Sequence, residues 1–224
     1  MYSLESNIRA IQNELEKNRY GDEPCAKLIA VTKNQSAEVV NHLLNCNIMD
    51  VAENKVQVFM EKKEKIEKKY KLHWIGRLQS NKVKYIIGNV CMLHTLDRLS
   101  LAQEVNRRAG EIDRVLPTLI QVNVSGETQK AGLSPSELRD FLLKIKDFSH
   151  IQVKGLMSMM PLKASNEELF SLFTQTRTMF EQLKQEAMPG IDMCELSMGM
   201  SNDYKIAACC GATMVRIGTA LFSS

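Results

Sequence analysis

Short apolar runs rich in β-branched residues alternate along this chain with longer stretches whose apolar residues recur every three or four positions. That alternation marks βα units and a parallel sheet. The runs predict strands at Leu28–Thr32, Ile48–Ala52, Leu72–Gly76, Cys91–Thr95, Thr118–Val124, Gln152–Met157, Cys194–Met198 and Met214–Gly218. The amphipathic stretches predict helices at Ala37–Asn45, Val56–Tyr70, Ser100–Gly110, Pro135–Lys146 and Asn166–Glu186. Ser134-Pro135 with Glu137 reads as a helix start, combining a capping hydroxyl, a proline at the first position and an acidic first turn. Ser36 can cap the helix before Val39 in the same way. An initial helix, Leu4–Lys17, carries Leu4, Ile8, Ile11 and Leu15 on one stripe, expected to pack over the sheet. Eight strands in order, each followed by a helix, close as an α/β fold, a (β/α)8 TIM barrel with an additional N-terminal helix. With no linker and no shift in composition, residues 1–224 are expected to form one domain.

A barrel of this kind builds its sites at the C-terminal ends of its strands. Those ends carry Lys33, Glu53-Asn54, Gly76-Arg77, Asp97, Asn123 with Ser125, Met157 to Met160, Ser201 and Gly218-Thr219. Two of them, Glu195–Asp203 and Val215–Thr219, open from apolar strands into loops of small and hydroxyl residues. Converging N–H dipoles beside short side chains hold an anion well, and these loops follow strands seven and eight, where such barrels bind phosphate. Leu28-Ile-Ala-Val-Thr-Lys33 delivers a lysine amine to the same rim. A lysine facing a phosphate cradle suggests pyridoxal 5′-phosphate held as a Schiff base.

The charge balance changes little. With 29 basic and 26 acidic side chains, the net charge of +3 is too small to imply nucleic-acid binding. Much of the basic excess lies in Glu61–Lys71, where signs alternate around a helical period with Ile66 and Tyr70 four apart, the pattern of a solvated helix face. Met1 to Arg19 does not resemble a signal peptide, and no apolar run approaches the length of a bilayer span. The six cysteines (Cys25, Cys46, Cys91, Cys194, Cys209, Cys210) include no CxxC pair and are read as having no histidine at metal-ligand spacing. They are expected to be reduced core residues of a cytoplasmic protein, with no metal site.

The chain also resembles a known family. In order, it carries Leu28-Ile-Ala-Val-Thr-Lys33, Glu53-Asn-Lys-Val-Gln57, His73-Trp-Ile-Gly-Arg-Leu-Gln-Ser-Asn-Lys82 and Gln121-Val-Asn123 with Lys130-Ala-Gly132. Gly155-Leu-Met157, Leu196-Ser-Met-Gly-Met-Ser201 and Val215-Arg-Ile-Gly-Thr219 complete the set. Together they resemble the pyridoxal phosphate homeostasis proteins, whose fold is like the barrel domain of alanine racemase. The resemblance implies an internal aldimine on Lys33, a phosphate held by Ser201, Gly218 and Thr219, Arg216 at the pyridine nitrogen and Asn54 beside the ring. This chain departs from the family at Val51-Ala52, where Phe-Gly usually precedes Glu-Asn, at Val58, where an acidic residue is common, and at Ser223, where a final glycine is usual.

Each residue also has a plainer reading. Arg216 could be a buried structural ion pair, since a charge inside a strand is costly unless paired. Beside a pyridine nitrogen it would donate a hydrogen bond and disfavour protonation there, making the cofactor a poor electron sink. Ser201 suits turn and helix-cap chemistry, and Asn54 could bond only its own loop. Lys33 needs a partly buried barrel mouth and a nearby cation to favour its free-base form. Met157, Met159, Met160, Met198 and Met200 are either pocket wall or core; His73 and His94 read as core or rim residues; Asn123, Ser125 and Lys130 could form a second rim site.

Three functions fit such a rim: a cofactor carrier able to release pyridoxal phosphate to apo-enzymes, an amino-acid racemase, and a cofactor-free Schiff-base aldolase. A racemase needs acid–base groups on both faces of the substrate carbon, and no tyrosine stands clearly at a strand end, Tyr204 being the one candidate. The aldolase leaves Arg216 and Asn54 unexplained together. The carrier is therefore preferred, non-catalytic and expected to be a monomer.

Overall fold

A computed structural model describes residues 3–67, 69–127 and 129–223. Its strands are β1 (Lys27–Val31), β2 (Asp50–Glu53), β3 (Lys71–Trp74), β4 (Val90–Leu96), β5 (Leu116–Val122), β6 (Ile151–Ser158), β7 (Ile191–Ser197) and β8 (Met214–Ile217). All pair in parallel with their sequence neighbours, and β8 returns to β1 to close the barrel. The helices are α1 (Leu4–Lys17), α2 (Ala37–Asn45), α3 (Val56–Lys62), α4 (Val83–Ile86), α5 (Leu99–Gly110), α6 (Pro135–Ile145), α7 (Asn166–Glu186), α8 (Tyr204–Cys209) and α9 (Thr219–Phe222). The expected barrel and its leading helix are therefore both present.

Alternation along the strands separates two packing layers. Val215 and Ile217 of β8, Leu72 and Trp74 of β3 and Leu93 of β4 face the helices and join the large outer core. Met214, Ile29 and Ala52 form a small apolar plug inside the barrel, with Val31, Ile75 and Met92 against it. Val51 and Ala52, the departure on the second strand, thus serve the two layers separately. By the same alternation Asp50, His73 and Arg216 share the interior face.

The capping signals hold. Ser36 accepts from the Val39 N–H at the start of α2, and Ser134 with Glu137 forms a capping box on α6. The stripe on α1 buries Ile8, Ile11 and Leu15, but α1 lies beside the last helices. Asn7 donates to the carbonyls of Leu221 (3.0 Å) and Ser223 (2.9 Å), and Lys205 of α8 pairs with Glu14 at 2.7 Å.

The helix expected over Val56–Tyr70 stops at Lys62, passes through a 3-10 turn at Lys63–Lys65, and becomes extended at Ile66. Two causes are visible. Ile66 is buried in the outer core, which draws the chain off the helix axis, and Asn41 of α2 grips both flanks. It donates to the Lys65 carbonyl (3.1 Å) and accepts from the Glu67 N–H (2.9 Å), bonds a continuing helix would satisfy internally. Lys62, expected on the solvated face, is buried.

Candidate functional site

A cleft of about 710 Å³ opens at the C-terminal ends of the strands. Lys33, Asn54, Ser201, Arg216, Gly218 and Thr219 all line it, so the structure brings the six sequence-nominated residues together. Gly76, Arg77, Asn123, Lys130, Met159, Met160 and Met200 line it as well. Met157 and Met198 are wholly buried and belong to the core, while Asp97 is tied to Arg98 at 2.7 Å.

Lys33 stands in the turn after β1 and is exposed, not half-buried as the barrel mouth suggested. Among the described residues it makes no hydrogen bond or ion pair, which leaves its amine free over the cleft. Lys82, in the 3-10 turn Ser80–Lys82, is not part of the wall. Lys130 is, but its ammonium is paired with the Glu127 carboxylate. Glu127 also accepts from Ser125, whose hydroxyl bonds Asn123 Oδ1 at 3.1 Å. The suspected second rim site therefore satisfies its own charge.

The turn that carries Lys33 is held from below. Lys62 Nζ donates to the carbonyls of Thr32 (2.7 Å) and Gln35 (3.1 Å) and pairs with Glu53 Oε1 at 2.6 Å. Thr32 Oγ1 donates to the same carboxylate at 2.5 Å. Nothing in a helical charge pattern distinguishes Lys62 from its neighbours, so the sequence hid this clamp.

Ser201 bridges the two phosphate-type loops. Its Oγ accepts from the N–H of Gly218 (3.3 Å) and Ala220 (3.1 Å), placing the hydroxyl at the start of α9. The hydroxyl thus sits at a helix N-terminus, as helix-cap chemistry suggested, and that helix is α9; α8 begins after Asp203, whose carboxylate accepts from Met200 N–H at 2.5 Å. Burial raises the Asp203 carboxyl, and its Met200 hydrogen bond and Arg216 pull it back only in part. Two glycines let the loops approach. A Cβ at Gly76 would lie 2.1 Å from the Asn54 carbonyl oxygen, and Gly199, at φ +91°, would drive one into Ala207 at 2.6 Å.

Arg216 is buried at the cleft floor and contacts no carboxylate among the described residues, which argues against the buried ion-pair reading. Its Nη1 donates to Ser197 Oγ (2.6 Å) and its Nη2 to the Ser158 carbonyl (2.8 Å). Those two bonds leave further N–H groups of the five-donor guanidinium unused. Burial pushes the group down to about 10, with Asp203 opposing, so it remains a cation at neutral pH. Among the described residues, Asn54 Oδ1 is buried without a hydrogen-bond partner, as is Ser158 Oγ. Orphaned polar atoms of this kind are rare in a settled core and common where a ligand completes the bonding.

Tyr20, Tyr70, Tyr85 and Tyr204 all lie off the cleft wall. His73 and His94 are buried in the barrel interior and are hydrogen-bonded to each other at 2.9 Å. Cys46 does have a histidine one turn away: the ligating atoms of Glu5, His42 and Cys46 lie within 4.8 Å of one another. Glu5 and His42 are exposed and already bonded at 2.8 Å, an ordinary surface pair. Cys25, Cys194 and Cys209 are exposed, contrary to the core placement expected of them. Among the described residues no helix is long and apolar enough to cross a membrane.

This closed ring of parallel strands, with its lysine and loops on the C-terminal rim, is a (β/α)8 barrel with its cleft at the usual end. The family model described as alanine racemase, N-terminal domain, matches residues 2–224. A curated relative from Aquifex aeolicus (strain VF5), a pyridoxal phosphate homeostasis protein, is 38% identical over 216 residues, covering 96% of this chain and 93% of its own. PipY from Synechococcus elongatus PCC7942, solved with PLP bound, is 31% identical with a TM-score of 0.88, covering 99% of this chain and 100% of that one. Alanine racemase of Clostridium difficile 630 shares the fold at a TM-score of 0.74 and 16% identity, over 97% of this chain and 56% of that one. The chain belongs to the family of pyridoxal phosphate homeostasis proteins.

Proposed function

We propose that the cleft binds pyridoxal 5′-phosphate, and that the protein buffers and carries this cofactor, with PLP-dependent apo-enzymes as recipients, as a cytoplasmic monomer of one domain. The observation that carries this is the convergence of a free lysine amine, a hydroxyl that ties the two strand-end loops together and a buried arginine on one cleft. The residues suit the group. Ser201, Gly218 and Thr219 would hold the phosphate, the unused N–H groups of Arg216 would meet the ring nitrogen, and Asn54, whose Oδ1 is orphaned, would lie beside the ring. When bound, the cofactor supplies an aldehyde that condenses with the Lys33 amine as a Schiff base. PipY, solved with PLP bound, and the homeostasis names of the relatives support the same assignment.

Catalysis is not the role proposed. Arg216 donates to the ring nitrogen without protonating it, which weakens the ring as an electron sink. Each tyrosine whose position is described lies off the cleft wall, so none supplies a second base opposite Lys33. The test is the visible spectrum of the purified protein before and after borohydride, followed by peptide mapping. A band that vanishes on reduction, with the label on the Lys33 peptide, is the expected result. No such band, or a label elsewhere, rejects the assignment.

A further inference from the structure

A row of buried hydrogen bonds crosses the barrel interior from the cleft toward its opposite mouth. Arg216 Nη1 donates to Ser197 Oγ (2.6 Å), which lies 3.0 Å from His94 Nδ1. His94 Nε2 lies 2.9 Å from His73 Nδ1, and His73 Nε2 lies 2.9 Å from Asp50 Oδ1. Arg216 lines the cleft, whereas Asp50 opens β2 at the N-terminal end of the barrel. Arg216, Ser197, His94 and His73 are buried, and none of the four residues beyond Arg216 touches the cleft.

The two ends fix the direction of every proton. A guanidinium only donates and a carboxylate only accepts. Ser197 Oγ accepts from Arg216, so its own proton points at His94 Nδ1, and His94 is then protonated at Nε2. His73 accepts at Nδ1 and donates from Nε2 to Asp50. Both rings are neutral, and all four bonds run from cation to anion. Reversing them would leave Ser197 accepting from both sides with its hydroxyl proton unplaced. Burial first, with the Arg216 cation adding to it, holds the His94 imidazole well below its usual value, consistent with a neutral ring. Aligned bonds in a dry interior polarise one another.

We infer that Ser197, His94, His73 and Asp50 form a positioning row that holds Arg216 as a hydrogen-bond donor to the aromatic nitrogen of the bound ligand, an inference resting on the pyridoxal phosphate assignment of the cleft. The strength of that bond is set from the far mouth of the barrel, through Arg216 alone.

The row is read first in the ligand-free wild type, by heteronuclear NMR of the imidazole nitrogens, which needs no variant. The expected result is a protonated Nε2 and a bare Nδ1 on both rings at neutral pH. Protonation at Nδ1, or an imidazolium, overturns the inference. The second measurement uses Asp50→Asn, which keeps an oxygen for His73 and removes the charge at the partly accessible end; retained circular dichroism confirms its fold. The expected result is a shifted absorption band of the lysine-bound cofactor and about threefold to tenfold weaker binding, the value of one hydrogen bond. An unmoved band with affinity within about twofold of wild type overturns the inference. If the wild type gives no borohydride-sensitive band, the cofactor assignment fails and the ligand role of the row with it, whether or not the NMR finds its protons as drawn.

Discussion

Lys62 and Glu53 form a buried pair, 2.6 Å apart, directly beneath the turn that presents Lys33. The same ammonium binds the carbonyls of Thr32 and Gln35, so one cation fixes the backbone on both sides of Lys33. Removing one partner of a buried pair strands the other charge, at a cost of about 3–5 kcal/mol. Lys62→Met is expected to lower stability by about that amount in chemical denaturation. Adding Glu53→Gln should recover part of the loss; no recovery would mean the two side chains act independently.

Lys33→Ala is expected to abolish the borohydride-sensitive band while leaving the circular dichroism spectrum unchanged. Lys33 is exposed and the described residues give it no partner, so its removal disturbs no packing. A variant that kept the full band would move the attachment point elsewhere.

Ser201 joins two loops through two accepted N–H bonds. Ser201→Ala should weaken cofactor binding by about 1–3 kcal/mol, the usual value for a hydrogen bond to a charged group. Pyridoxal without its phosphate should bind the wild type far more weakly. Equal affinity for both forms would remove the cradle.

With loaded protein and L-alanine in deuterated water, exchange of the α-proton is expected to stay well below about 1 per second, the low end of enzymatic turnover. NMR of that proton is the measurement. Faster exchange would restore the racemase.

Burial alone would raise the Asp50 carboxyl, but the His73 hydrogen bond, with the charges of Lys27 and Lys71, holds it below its ordinary 3.8. Its stabilising contribution is therefore present above that ordinary value and lost as pH falls through the lower, folded one. The Tm gap between wild type and Asp50→Asn should be constant near neutrality and close as pH drops below about 4. A gap that widens in acid would contradict the sign.

The strands were legible because apolar runs and turn residues speak locally. Their ends were not: β2 begins at Asp50 and not at Ile48, and β7 begins at Ile191, upstream of Cys194, because pairing with neighbours sets the limits. The short helices α8 and α9 were invisible, having too few residues to show a period. All six candidate residues line one cleft, five of them strand-end positions that the barrel rule singles out and Arg216 one that the family motifs add. Lys62, Ser197 and Asp50 could not, since their roles depend on partners on other strands or turns. His73 and His94 were read as core, which they are, but core status gave no hint of the bond between them.

Lys33 follows β1, and Arg216, Gly218 and Thr219 belong to or follow β8, the two strands that meet at the seam where the barrel closes. A chain with that seam open holds an amine at one end and an anion cradle at the other, with no common cleft between them. Any ligand gripped from both sides therefore binds only after the last strand has docked, and by mass action it stabilises the closed ring alone. Occupancy of the cleft would then double as a check on completed folding, with the ligand acting as a latch across the seam.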